Sequence, residues 1–146
     1  TGAVALGNNP IDIRILRYGE TLLSYAECLV MVGGASAIPE AASYVNQIRE
    51  RVNLYPLDES VHKDCLNSVD AFMKRLRIER EKEICFEYDR FIDLRRWGLG
   101  SDDKYTEEVK ARSTKFRDNF SKGKEWLPIP RSDVDNNPNL NQNEGY

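Results

Sequence analysis

Four residues of this chain, Arg80, Glu83, Glu87 and Arg90, have the types and spacing to do chemistry. Stepping four and then three residues from Val69 gives Met73, Leu76, Arg80, Glu83, Glu87, Arg90, Leu94 and Trp97, one continuous face of a helix. The ends of that line are apolar, so its charged middle points toward a core. A lone buried charge is costly, whereas two arginines bracketing two carboxylates at i+3, i+4 and i+7 can neutralise and hydrogen-bond one another. Such a quartet is either a structural ladder or a reaction centre. A general acid needs a carboxyl that holds its proton, and an adjacent guanidinium favours the opposite. A carboxylate-bridged metal pair in a helix bundle would call for Glu-x-x-His repeats, and the single histidine, His62, lies outside this helix without that spacing. The spacing therefore predicts a structural ion ladder, with no catalytic residue, no metal and no cofactor assigned.

The elements that must position this line read as helices, and the fold class expected is all-α. Asp12 to Val32 carries Ile13, Leu16, Leu23, Ala26 and Val30 at helical spacing, and Gly33-Gly34 supplies a stop. A second helix begins near Pro39, which suits a first turn, and runs through Ala42, Val45 and Ile48 to about Arg51. The short link predicts an antiparallel, tetratricopeptide-like hairpin, with Ala26 and Ala42 allowing close approach. One hairpin cannot bury both of its faces, so a long third helix, Val69 to Trp97 and ended by Gly98 and Gly100, must help cover it.

Asn53 to Asn67 reads as a connecting loop, with Tyr55-Pro56 opposing helix and Asp58 or Ser60 starting a turn. Asp102 to Asn119 has helical character through Tyr105, Val109 and Phe116. After Trp126, Pro128 and Pro130 remove two backbone donors and favour extended chain. The tail beyond is rich in turn-forming Ser, Asp and Asn, and Trp126, Leu127, Ile129, Val134, Leu140 and Tyr146 are expected to pin it, irregular, to the helices.

Composition narrows the function classes. The chain has 146 residues, 31% of them charged, and a net charge of −3, a length sufficient for one core that buries about 68 to 70% of the unfolded surface. Lys110 to Lys124 holds six basic residues against Asp118 alone, yet the acidic whole opposes nonspecific nucleic-acid binding and Phe116 and Phe120 fit an apolar stripe. The segment reads as a solvated face. Cys28, Cys65 and Cys85 cannot all pair within one chain; Cys28 and Cys85 read as small buried hydrophobes, and no zinc spacing occurs. There is no Gly-rich phosphate loop and no Gly-x-Ser-x-Gly nucleophile turn. No stretch reads as the roughly 18 to 20 apolar residues of a membrane span.

The run from Glu79 to Gly98, EREKEICFEYDRFIDLRRWG, resembles the ER-x-x-EL-x-FE-x-x-R-x-x-DL-x-RWG signature of the SusD/RagB family of surface nutrient-binding lipoproteins. Further stretches agree in order: Leu16-Arg17-Tyr18 with Leu22-Leu23 and Tyr25-Ala26-Glu27; Val45 to Arg51; and the tail from Leu127-Pro128-Ile129-Pro130 through Asn137-Pro138-Asn139-Leu140 to Gln142-Asn143-Glu144-Gly145-Tyr146. Three positions depart from the pattern. Gly19 stands where alanine is usual and should weaken the first helix by about 0.5 to 1 kcal/mol. Tyr88 stands where glycine commonly follows the Phe-Glu pair, which argues for a helix running through that point. Glu144 stands where proline is common.

The resemblance implies that residues 1–146 are the C-terminal part of a longer SusD/RagB-like domain. It implies a non-enzymatic receptor on the outer-membrane surface, anchored by a lipid upstream of this chain. That receptor would bind a glycan or related nutrient and pass it to a SusC-like TonB-dependent transporter. Family binding sites tend to be built by variable loops, many of them upstream, so no ligand-binding residue is assigned. Trp97 reads as packed, and packing is also favoured for Trp126. The rival reading is a helical-repeat adaptor that binds a protein or peptide.

Overall fold

The computed structural model describes residues 15–58, 60–87, 89–98, 103–112 and 126–146, and among them every regular element is helical. They fall into two compact units, Thr1–Cys85 and Phe86–Tyr146.

In the first unit, α1 (Tyr18–Gly33) and α2 (Ile38–Arg51) are joined by a 3-10 turn over Gly34–Ala37. Gly34 ends α1 at φ 64°, in the region where only glycine escapes a steric cost. Pro39 lies in the first turn of α2, where its missing N–H loses no helical bond. By length and composition the continuous stretch Tyr18–Arg51 is apolar enough to cross a membrane, contrary to the reading of the sequence. The turn instead folds it back, and α1 and α2 bury their apolar stripes on each other. Ala26, Ala41 and Ala42 are buried at the seam, as close approach requires.

The expected start of α1 is too early. Arg17 is extended, at φ −140° and ψ 156°, and Ile15 and Leu16 are exposed. Ile13 lies outside the described residues. Extension at Arg17 serves its guanidinium, which reaches Glu83. A short helix, α3 (Lys63–Leu66), interrupts the expected loop, and Asp58 makes the expected turn by accepting from the N–H groups of Ser60 at 2.9 Å and Val61 at 3.2 Å.

Helix α4 (Val69–Glu83) begins at Ser68, whose Oγ accepts from the Ala71 N–H at 3.2 Å. It packs on α1 and α2 through Phe72, Met73 and Leu76 and closes the core around Leu23, Val30, Val45 and Leu57. The long third helix stops here. A turn at Ile84–Glu87 separates α4 from α5 (Asp89–Arg96), with Ile84 fully buried and Phe86 fully exposed at φ 65°. A left-handed residue prevents the helix from continuing, and its residue type does not announce it, because phenylalanine does not adopt that conformation readily. Tyr88, on which continuity was argued, lies outside the described residues.

Glycine at position 19 has a specific cause. A Cβ there would stand 2.7 Å from Glu83 Oε1 and 3.3 Å from Arg17 Nη1, so the helix gives up intrinsic stability to admit an ion pair. Gly19→Ala should therefore not yield the usual gain of about 0.5 to 1 kcal/mol in the native chain, but should yield it in a Glu83→Ala background. Urea melts of the four variants measure this, and an equal gain in both backgrounds would refute it.

The second unit contains α5, α6 (Asp103–Arg112) and α7 (Arg131–Asn136). Within it Trp97 is buried, as expected, and so is Asp93, which accepts from Arg96 Nε at 2.8 Å. Thr106 and Val109 on α6 are buried, while Phe116, Phe120, the side chain of Tyr105 and most of the basic segment lie outside the described residues. The tail departs from expectation twice. It forms α7 straight after Pro130, a position that suits the approach to a helix. Trp126 and Leu127 are 63% and 64% exposed, while Ile129, Val134 and Leu140 are half-buried. What orders the tail is polar: Gln142 accepts from the Ile129 N–H and donates to the Ile129 carbonyl, both at 2.8 Å, and Asn143 Nδ2 donates to the Leu127 carbonyl at 2.6 Å. The closing Gln-Asn pair thus replaces a missing strand partner for the proline segment.

Candidate functional site

Arg80 and Glu83 are both turned into the first unit, as the apolar stripe requires, and partners reach them from α1, from α2 and from the extended Arg17 before α1. Arg80 Nη1 donates to Ser24 Oγ at 2.9 Å and to the Glu20 carbonyl at 3.4 Å, and Nη2 faces Glu20 Oε1 at 3.5 Å. Glu83 is held by Arg17 and by Arg51, whose Nη2 lies 2.8 and 2.7 Å from its two carboxylate oxygens. Arg17 also donates to the Glu83 carbonyl, capping the end of α4. Glu87 and Arg90 belong to the second unit, beyond the break. The single long helix expected to carry all four is thus corrected: α4 ends at Glu83, and the turn at Ile84–Glu87 interrupts the helical register.

Among the described residues of the first unit, the most buried charged residue is one the stripe did not include. Arg49, on the last turn of α2, is 3% exposed. Its Nη1 donates to Glu79 Oε1, its Nε to the Tyr55 carbonyl at 2.6 Å, and its Nη2 lies 3.0 Å from His62 Nε2. Arg75 Nη2 reaches the same Glu79 oxygen at 2.6 Å from one helical turn away. A signal existed in the sequence: Ala42, Val45 and Arg49 continue one stripe, as do Phe72, Leu76 and Glu79, so each charge extends a core-facing line. Chemically, Glu79 Oε1 and both carboxylate oxygens of Glu83 accept from guanidinium donors, which makes this a clamp between helices and loop.

His62 completes the clamp as an acceptor. Arginine only donates, so Nε2 must be unprotonated and the ring proton sits on Nδ1. Burial first, then the charges of Arg75 and Arg49, push the His62 pKa below its ordinary 6.5, against the opposing pull of Glu79 and Asp58. With the folded value depressed, the unfolded chain binds more protons in that window. The contribution to stability is complete above about pH 6.5 and is lost as pH falls through the folded value. Unfolding free energy measured from pH 7.5 to 5 should fall with acid in the native chain and fall less in His62→Gln, whose amide oxygen still accepts. Equal slopes would refute the role. Hydrogen bonds from Ser60 and Val61 hold the Asp58 carboxyl below the usual carboxylate range, so its own contribution fades only at more acid pH.

Burial raises the Cys65 thiol pKa, and its Sγ–H donates to the His62 carbonyl at 2.9 Å. Cys28 and Cys85 are exposed rather than buried, one on the outer face of α1 and one in the turn after α4. All three cysteines are free. Two clefts flank the loop after α2. One, of about 430 Å³, is lined by Asn46, Glu50, Asn53, Leu54, Tyr55 and Pro56. The other, of about 360 Å³, shares Asn46 and is lined also by Ile38, Ala42, Leu57 and Leu66.

Comparison with known proteins places this geometry in context. The sequence profile of the SusD family matches residues 4–146. SusD-like protein P2 of Formosa agariphila is 33% identical over 140 residues, which cover 90% of this chain and 25% of that protein. The starch-binding protein SusD of Bacteroides thetaiotaomicron is 30% identical over 139 residues, 92% of this chain and 22% of its own length. The chain thus spans about a quarter of the length of these curated relatives. No solved structure matches.

Proposed function

The chain belongs to the SusD family, and from that premise we propose that it is the C-terminal part of a non-catalytic receptor for a glycan or related nutrient. The receptor works at the outer-membrane surface, tethered by a lipid anchor upstream of this chain, and delivers its ligand to a SusC-like TonB-dependent transporter. The observation that carries the reading is the family match over almost the whole chain, together with 30% identity to a protein named for binding starch. The structure lends support of a different kind. Glu83, one of the two carboxylates weighed for a reaction centre, and Glu79 are engaged in holding helices and loop together, which suits a rigid scaffold for recognition.

The test is binding. Full-length protein titrated calorimetrically with neutral oligosaccharides (maltohexaose, cellohexaose, laminarihexaose and xylohexaose) should bind at least one and release no shortened product. Copurification from solubilised outer membranes should recover a TonB-dependent transporter. Hydrolysis of a bound sugar would refute the non-catalytic assignment, and absence of binding across the panel would refute neutral-glycan capture.

A further inference from the structure

The loop after α2 is fixed at many points while its one aromatic ring is left free. The Leu54 N–H donates to the Arg49 carbonyl at 2.9 Å, Arg49 Nε donates to the Tyr55 carbonyl at 2.6 Å, and Asn46 brackets Leu57, accepting from its N–H at 2.6 Å and donating to its carbonyl at 3.3 Å. Asn53 turns the chain at φ 56°, Leu57 is buried in the core, and Pro56 holds Tyr55 to extended backbone. The Tyr55 side chain gains nothing from this, being 74% exposed along the cleft of about 430 Å³. Scattered exposed aromatics are ordinary; one held rigid by a buried arginine, beside a cleft of small-molecule size, is organised before any ligand arrives.

We propose that this cleft is a saccharide subsite, with Tyr55 as the stacking platform and Glu50 and Asn53 as hydroxyl partners. This rests on the capture reading above. An aromatic face matches the apolar C–H face of a pyranose, and the adjoining carboxylate and amide supply the acceptors and donors that ring hydroxyls need. Asn46 is committed to Leu57 and serves as support. Among the described residues, Glu50 is the only charged one lining the cleft and no cation does, so the ligand is an uncharged sugar; a sulfated or carboxylated one would meet a like charge. Arg49 is a positioning residue, acting through the Tyr55 carbonyl.

The experiment uses full-length protein and whichever neutral hexasaccharide of the panel binds. Tyr55→Ala should weaken binding about tenfold, Tyr55→Phe should stay within about twofold, and Glu50→Ala should lie between them. Hydroxyl-radical footprinting should show Tyr55 protected by that sugar, and circular dichroism should show the exposed-site variants folded. If the sugar binds but Tyr55→Ala retains full affinity and Tyr55 is unprotected, the subsite is refuted and capture stands. If no panel sugar binds, both readings fall. Tyr55-dependent binding of a proline-rich peptide, without any sugar effect at Tyr55, would also overturn the subsite.

Discussion

Arg49→Ala is expected to lower the unfolding free energy of this chain by about 3 to 5 kcal/mol, the usual cost of removing one partner from a buried ion pair. Arg49 and Glu79 have side chains 4% and 5% exposed, so neither is rescued by water when the other is lost. Arg75 remains to hold Glu79, which keeps the loss from exceeding this range, but Arg75 is anchored one turn along the same helix and cannot reach the loop. The Tyr55 carbonyl and His62 Nε2 therefore both lose their donor. Arg49→Lys should recover only part of the loss, because an ammonium lacks the planar fork that serves three acceptors at once. Urea melts supply the measurement, and a double cycle with Glu79→Ala isolates the pair. A loss below about 1 kcal/mol, the value of an exposed pair, would mean that the clamp is hydrated.

Phe72→Ala should cost a similar amount, about 3 to 5 kcal/mol, through a different cause. Phe72 is fully buried on α4, in the core shared with α1 and α2. Truncation leaves a void that backbones pinned by the Arg49 and Glu83 pairs cannot collapse to fill. Phe72→Leu should recover most of the loss. Against a typical total of about 5 to 15 kcal/mol, either alanine variant would place the folded state near its limit, and the two should differ in salt dependence, which a cavity lacks. A Phe72→Ala melt close to that of the native chain would show that the three helices do not share one core.

The hairpin was legible because it depends on local rules: an apolar stripe at helical spacing, a glycine pair to end the first helix, and a proline to begin the second. The same rules placed Met73, Leu76 and Arg80 on the inward face of α4. They failed at the end of that helix. Nothing in Ile84-Cys85-Phe86-Glu87 announces a left-handed phenylalanine, because the gain that offsets its strain includes the burial of Ile84, a tertiary contact. They failed again at Cys28, an apolar residue type that stands at an exposed position.

The candidate site divides the same way. Sequence alone determined that charges sit on core-facing lines and therefore must be paired, since residue type and helical period fix both facts. It could not determine with whom. Helical spacing offered Arg80 the carboxylate one turn along, and the fold brings it Ser24 and Glu20, sixty residues or so away in the chain. Only the tertiary structure decided that Arg49 would bind Glu79, His62 and the Tyr55 carbonyl together. An ion pair is chosen by distance and desolvation in three dimensions, and those are set by how three helices pack, not by the order of their residues.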